Sequence, residues 1–198
     1  MAEIHLTFET LSGPALHPLL PALAGLRIAV FRDWPYLYDG DGDYEQRYLR
    51  AYADAPGAAI VVARAGDRVV GAATCEPMEQ AHAPVIACFR DAGLDPARTC
   101  YFGESVLLAP WRGRGAGVRF FQEREAHARR LGLGEAAFCA VLRDPADPRC
   151  PPGHVPLDAF WSNRGYQRRP GLVVRFDWKE VGAAAETSHD LVFWTRSL

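Results

Sequence analysis

The five cysteines (Cys75, Cys88, Cys100, Cys139, Cys150) are odd in number, irregularly spaced and without a C-x-x-C pair. That pattern builds neither a disulfide framework nor a zinc site, so no metal is expected. Cys75 and Cys139 sit in apolar, strand-like runs, where a free thiol packs as a small hydrophobe. Cys150, just ahead of Pro151-Pro152, falls in a loop. An excess of basic charge is also missing. The 22 Lys and Arg residues nearly cancel 24 Asp and Glu, leaving a formal charge of -2, which argues against a nucleic-acid partner. The opening Met-Ala-Glu-Ile-His-Leu has no basic n-region and no apolar h-region. No apolar run is read as approaching the roughly 20 residues that span a bilayer, so the expectation is a cytoplasmic chain with no membrane partner. Repeats, low-complexity tracts and linkers are absent too. At 198 residues and 49% apolar composition, the chain can bury one substantial core, which predicts a single domain over 1–198.

What is present reads as an alternation of short strands and helices. Ile4 to Phe8 alternates like a strand, and Pro14 to Arg32 has leucines at helical spacing, divided by Pro18 and Pro21. Asp39-Gly-Asp-Gly-Asp43 is a turn, followed by a helical pattern from Tyr44 to Ala55. Ala58 to Arg64 and Arg68 to Cys75 form a hairpin across Ala65-Gly-Asp67. A helix over His82 to Ala92 ends at Gly93, and Thr99 to Leu108 is read as one strand. Gly115 to Leu131 is a helix closed by Gly132, and Glu135 to Leu142 a further strand. After a proline-rich loop, Leu157 to Arg164 is a short helix, and Leu172 to Trp178 and Asp190 to Thr195 are closing strands that could also pair across a homodimer. The order does not alternate β and α throughout. It predicts an α+β fold: a mixed, mostly antiparallel sheet flanked by helices, not a doubly wound parallel one.

The most informative stretch is Glu104 to Phe121. An apolar strand ends in a sharp turn, and Gly113, Gly115 and Gly117 then open a helix. Unpaired amides at a helix start, unobstructed by side chains, suit a phosphorylated ligand, and Arg112 and Arg114 add positive charge. The dinucleotide fingerprint fails, because Val118 occupies its third small position and no acidic residue closes the next strand. A Walker A loop fails for want of Gly-Lys-Ser/Thr.

Arg112-Gly-Arg-Gly115-Ala-Gly117, after Val106-Leu107-Leu108-Ala-Pro110, resembles the Arg/Gln-x-x-Gly-x-Gly/Ala signature of the GNAT superfamily of acetyl-CoA-dependent N-acetyltransferases. Phe160-Trp-Ser-Asn-Arg-Gly165-Tyr166 is similar to that family's later Leu/Phe-Tyr-x-x-x-Gly-Phe segment. The resemblance implies that acetyl-CoA is the co-substrate. Amides from Gly113 through Arg114, Gly115, Ala116 and Gly117 to Val118 would hold the CoA pyrophosphate, and the backbone of Val106, Leu107 and Leu108 would pair with pantetheine. One departure is that the turn over Pro110 to Arg112 is a residue shorter than in many members.

Acetyl transfer to an amine requires the ammonium to lose a proton before it attacks the thioester. The resemblance implies that Glu104, in Phe102-Gly-Glu104-Ser-Val106, is the general base, since one branch of the family uses a glutamate in a similar setting. Apolar neighbours on the strand suit that role by desolvation; the alternatives are a solvated strand-edge glutamate or a structural partner for an arginine such as Arg112. The family's usual acid is a tyrosine, but Trp161 stands at the matching position and its indole is no practical acid. Trp161 is therefore read as a wall of the acetyl-CoA site, and Tyr166 as a packing residue. Cys150 and His154 could approach the sulfur from the preceding loop. Asp39 to Glu45 resembles the start of a calcium loop but lacks its glycine at Tyr44 and its glutamate at Arg50. As an acidic rim it could attract a cationic amine, and Trp34-Pro-Tyr36-Leu-Tyr38 could line the acceptor pocket. The expected acceptor is thus a primary amine of a small molecule or peptide; the alternative is a non-catalytic acyl-CoA-binding protein on the same fold.

Overall fold

The computed structural model describes residues 5–198; the expected strand start at Ile4 lies outside them. Strand β1 is Leu6–Leu11, and a 3-10 segment, Gly13–Leu19, leads into helix α1, Leu20–Phe31. Helix α2 is Gly42–Asp54, followed by β2, Ala59–Ala65, and β3, Arg68–Pro77. Helix α3 is Ala83–Asp91; β4 is Thr99–Tyr101 and β5 is Ser105–Leu107. Helix α4, Ala116–Arg130, precedes β6, Glu135–Val141; α5, Asp158–Asn163, precedes β7, Gln167–Lys179, and β8, Glu186–Ser197. The strands form one sheet in the order β1-β2-β3-β4-β6-β8-β7, with β5 beside β3. Every pairing is antiparallel except β4 with β6. The mixed, mostly antiparallel sheet flanked by helices is thus as the element order predicts.

Side-chain alternation assigns the helices to faces. Ile60, Val62, Ala72 and Val106 turn toward α1 and α2, while Tyr101, Ala137 and Cys139 turn toward α3. On the opposite face Val61 and Ala73 meet Phe120 of α4, and Cys75, Cys100, Phe102 and Phe138 meet Phe121 and Tyr166. The gap between α2 and α3 on the first face is where the polar residues of the site gather.

Several elements differ from the sequence expectation: β7 begins five residues before Leu172 and β8 four before Asp190, and three further differences bear on the core and the site. Helix α2 starts two residues early, because Asp41 caps it by accepting from the Tyr44 amide at 2.7 Å. Gly13–Phe31 forms 19 helical residues of mean hydropathy 1.4, long and apolar enough by length and composition to cross a bilayer; as Pro18 and Pro21 predict, it is in two pieces, the 3-10 segment to Leu19 and α1 from Leu20. Leu16, Leu20, Leu23, Ala24 and Leu26 from it are packed in the core against β2, β3 and β5. The third difference shapes the site: the expected strand Thr99 to Leu108 is broken. Its closing strands pair within the chain, β7 on β8 and β8 on β6.

Candidate active site

The break over Phe102-Gly-Glu104 splits the partners of β3. Glu76 and Pro77 pair with β4, whereas Gly71, Ala72 and Ala73 pair with β5. Strand β4 continues onto β6, and the Phe102 amide still donates to the Ala137 carbonyl at 2.8 Å. Strand β5 pairs with β3 alone among the described residues, so the sheet opens into a V between β5 and β6. Two features hold the break. Gly103 passes so close to α2 that a Cβ there would stand 2.4 Å from the Tyr52 hydroxyl and 2.6 Å from Thr74 Oγ1. The buried Arg124 of α4 donates from Nη1 to the Glu104 carbonyl at 3.3 Å and to the Thr74 carbonyl at 3.4 Å, satisfying backbone acceptors at the point of divergence.

Hydrogen-bond alternation identifies the free groups of β5. The Thr74 amide donates to the Glu104 carbonyl and the Leu108 amide to the Val70 carbonyl, each at 3.0 Å. In an antiparallel pair these positions alternate, so Val106 also faces β3. Of Val106, Leu107 and Leu108, only Leu107 turns its backbone toward the opening; Ser105 is its unforeseen companion. The Leu107 carbonyl accepts from Arg112 Nε at 3.1 Å.

After a 3-10 turn over Ala109–Trp111, the loop reaches α4 through two left-handed glycines, Gly113 at φ 75° and Gly115 at φ 81°. Gly115 is the N-cap of α4 and supplies no side-chain cap, and the first turn has no acidic residue. With the first helical bond running from the Arg119 amide to the Gly115 carbonyl, the amides of Ala116, Gly117 and Val118 are the unpaired donors of the helix start. A Cβ on Gly113 or Gly115 would meet open space; conformation requires glycine there. At Gly117 a Cβ would lie 3.3 Å from Phe160 of α5, so this glycine also admits helix packing. Arg114 stacks on Trp111 and Arg112 is half exposed, 4.0 Å from Asp33. The residues present therefore fit a diphosphate: open donors, positive flanks and no competing carboxylate in the helix start. Trp161 packs on Phe138 and Trp194, ring centroids 5.2 Å away in each case, and Phe160 is the α5 residue beside Gly117 in the first turn of α4. Tyr166 is buried and donates to Glu125 at 3.2 Å, a packing role.

Glu104 projects into the gap between α2 and α3 with its side chain 7% exposed. Its partner is Arg27 of α1, not Arg112: Arg27 Nη1 pairs with Glu104 Oε1 while its Nε pairs with the fully buried Glu45 of α2. The guanidinium lies over the Tyr48 ring at 4.2 Å, and the Tyr48 hydroxyl donates to Glu104 Oε2 at 3.0 Å. Burial opposes the charge on Arg27, but Glu104 and Glu45 outweigh it and hold its pKa well above the usual arginine value. Glu76 of β3 points to the same gap. Burial, with the nearby Glu104 charge, pushes its carboxyl from the ordinary 4.5 up to about 7, against the lowering effect of the Tyr52 hydroxyl. Tyr36 adds a hydroxyl whose pKa is pushed well above the ordinary tyrosine value, chiefly by burial and also by the nearby Glu104 carboxylate. It packs between Phe31 and Trp178. Arg143 anchors that segment, donating to the Pro35 and Tyr36 carbonyls, and pairs with Glu180 beyond β7. In the proline-rich loop Cys150 is half-buried and His154 is exposed, its ring edge-on to Trp34. Asp39 pairs with Arg32 and Lys179.

Arg27, Tyr48, Tyr52, Glu76, Thr74, Ser105 and Arg124 were not legible as site residues. A signal existed for some of them: Arg27 interrupts the buried Leu20, Leu23, Ala24 stripe, and Glu76 interrupts an apolar strand. A charge at an otherwise buried position needs a partner or a function.

The pKa of Glu76 predicts an unusual stability profile. Below about pH 4.5 the group is protonated in both states. As the pH rises toward 7 the unfolded chain releases the proton first, so the native state loses stability until about pH 7, by about 3 kcal/mol in full. Glu76→Gln should therefore be more stable than wild type at pH 8 by up to about that amount and indistinguishable at pH 4. Urea unfolding at the two pH values checks this; equal destabilisation at both would contradict it.

Residues 27–151 match the model of the acetyltransferase (GNAT) family, more than half of the chain. The chain belongs to the GNAT acetyltransferase family. No curated protein sequence matches it significantly. Among solved structures, the ribosomal-protein-alanine N-acetyltransferase from Brucella melitensis is similar over 97% of this chain and 99% of its own, at 15% identity and TM-score 0.63. YncA from Salmonella typhimurium, solved with its cofactor acetyl-CoA, is similar over 98% and 94%, at 15% identity and TM-score 0.58. The PaiA N-acetyltransferase from Thermoplasma acidophilum, in complex with coenzyme A, covers 98% and 99% at 10% identity and TM-score 0.55. At such identities the likeness shows the GNAT fold, and the family match supports acetyl-CoA-dependent acetyl transfer as the activity.

Proposed function

We propose that the protein transfers an acetyl group from acetyl-CoA to a primary amine of a small molecule or peptide, by direct attack in the V between β5 and β6, with Glu104 as general base. The observation that carries this reading is the continuity of the open β5 edge. It runs from the donor-rich start of α4 at one end to a buried carboxylate at the other. Bound along it, acetyl-CoA would supply the thioester. The chain's own part is to anchor the diphosphate on the amides of Ala116, Gly117 and Val118, beside Gly113, Arg112 and Arg114, and to pair the Leu107 and Ser105 backbone with an extended arm. Glu104 accepts the proton that the ammonium must lose, and Arg27 and Tyr48 fix its orientation. The amine nitrogen then forms the new amide bond as the C–S bond breaks, and the second proton it gives up ends on the departing sulfur, so that CoA leaves as the thiol. The buried anions Glu45, Glu76 and Glu104 bias the gap toward a cationic acceptor.

Acetyl-CoA at a hundredfold excess over its Kd should stabilise the wild type by about 2.7 kcal/mol. Gly115→Val forces a β-branched residue into the left-handed conformation, a strain of about 1–2 kcal/mol that displaces the helix start. Its acetyl-CoA affinity should fall about tenfold or more by calorimetry. Unchanged affinity would place the ligand elsewhere. Binding by the wild type without CoA release to any amine would favour the acyl-CoA-binding alternative, for which Trp161 at the family's tyrosine position speaks.

A further inference from the structure

Six aromatic side chains join Arg27 in a closed circuit beside Glu104. Phe31, at the end of α1, meets Tyr36 at 4.6 Å between ring centroids, and Tyr36 meets Trp178 of β7 at 5.9 Å. Phe176 stands two residues before Trp178 on the same face of that strand, and both pack on the buried cluster of Tyr101, Cys139 and Leu191. His82, just ahead of α3, meets Phe176 edge-on at 6.2 Å and stacks on Tyr48 of α2 at 5.8 Å. The Arg27 guanidinium closes the circuit, 4.2 Å from the Tyr48 ring and 5.0 Å from that of Phe31. Two members hold the carboxylate: Arg27 Nη1 pairs with Glu104 Oε1, and the Tyr48 hydroxyl donates to Oε2 at 3.0 Å. None of the six rings is fully buried; His82 is exposed and the others are half-buried. So many rings left open to solvent around one carboxylate mark a surface for a ligand.

Resting on the acetyltransferase reading, we propose that the acceptor is a primary monoamine carrying an aryl ring on a short alkyl arm, the ring inside this circuit and the nitrogen at Glu104. Size and charge both select it. The centre of a seven-membered circuit with links of this length lies roughly 6 Å from each member, within the spacing at which aromatic rings pair. Arg27 is shared by Glu45 and Glu104, so that cluster keeps one negative charge, the match for one ammonium. Glu76 holds its proton up to about pH 7 and adds no full second charge. The carboxylates that border the ring segments are already paired, Asp39 with Arg32 and Lys179, and Glu180 with Arg143 and Arg149. A polyamine would therefore find no free carboxylate among them for its further cations. A peptide would bring unpaired amides against apolar rings. The ammonium of an aryl amine is drawn across the ring faces and ends at Glu104.

The test uses CoA-thiol release by the full chain with a panel of probe amines: phenethylamine, tyramine, n-butylamine, spermidine, N-α-blocked lysine and a peptide with a free N-terminus. Phenethylamine should exceed n-butylamine in kcat/KM by about tenfold or more, and spermidine, the lysine and the peptide should fall below both aryl amines. Phe176→Ala and His82→Ala should each cut the phenethylamine to n-butylamine ratio about threefold or more, with acetyl-CoA Kd unchanged. Phe176→Tyr should keep the ratio and Phe176→Leu should lower it. A side chain that only supports the fold would slow both amines together and leave the ratio alone. His82 is exposed and makes no side-chain cap bond at the start of α3, so it decides should Phe176→Ala misfold. A non-aryl probe turned over as well as phenethylamine would overturn the aryl class while leaving acetyl transfer standing. A ratio unmoved in His82→Ala would overturn the placement of the ring. A wild type that releases no CoA with any probe overturns the acetyltransferase reading, and this acceptor with it.

Discussion

Glu104→Gln should lower kcat by about a hundredfold or more near pH 7 while leaving the acetyl-CoA Kd within about twofold, the loss expected when a positioned general base is removed. The amide keeps the shape of the side chain: Oε1 still accepts from Arg27, and the amide nitrogen that replaces Oε2 donates to the Tyr48 oxygen, so the Arg27, Glu45 and Tyr48 cluster should persist. What disappears is the ability to accept a proton. The diphosphate cradle around Gly115 is at the far end of β5 and should not notice. Steady-state kinetics with the best amine of a panel, beside calorimetric acetyl-CoA binding, separate the two quantities. An equal fall in affinity and turnover would mean that Glu104 shapes the site without handling the proton.

Arg27→Met should cost about 3–5 kcal/mol of folding stability, the range for breaking a buried ion pair by removing one partner. Its guanidinium serves two carboxylates at once, Glu45 through Nε and Glu104 through Nη1, and Glu45 has no exposed surface. Removing the cation strands two negative charges and forfeits the stacking on Tyr48 and Phe31. Arg27→Lys should recover little, because one compact ammonium cannot reproduce a planar fork with two directions. Adding Glu45→Gln to Arg27→Met should return part of the loss by removing one stranded charge. Chemical denaturation of the single and double variants checks this. A loss below about 1 kcal/mol, as for exposed pairs, would show that the cluster is hydrated and does not hold Glu104 in place.

The features legible in the sequence are those written locally. The glycine cradle needs only Gly113, Gly115 and Gly117 in succession after an apolar strand, because left-handed φ angles and a bare helix start are properties of a few adjacent residues. The hairpin of β2 and β3 and the helix α4 follow likewise from turn chemistry and periodicity. The break between β4 and β5 does not. Residues 99–108 alternate as one strand would, and what divides them is distant: the Tyr52 hydroxyl above Gly103 and the Arg124 guanidinium beneath the Glu104 carbonyl. The partner of Glu104 is hidden in the sequence for the same reason. Arg112 is near in sequence, but its Nε is used on the Leu107 carbonyl, and packing of α1 brings Arg27 to the carboxylate instead. Trp161 stands where the family resemblance places a tyrosine, and its ring fills space between Phe138 and Trp194.

The central claim is that this V-shaped opening joins an acetyl group to an amine. The direct measurement is the mass of each probe amine after incubation with acetyl-CoA and the protein, with free CoA thiol counted in parallel. The account predicts that at least one amine gains a single acetyl group, mole for mole with the CoA released, and that Glu104→Gln forms it about a hundredfold more slowly. CoA released without acetylated amine, or product formed equally fast by Glu104→Gln, would contradict it.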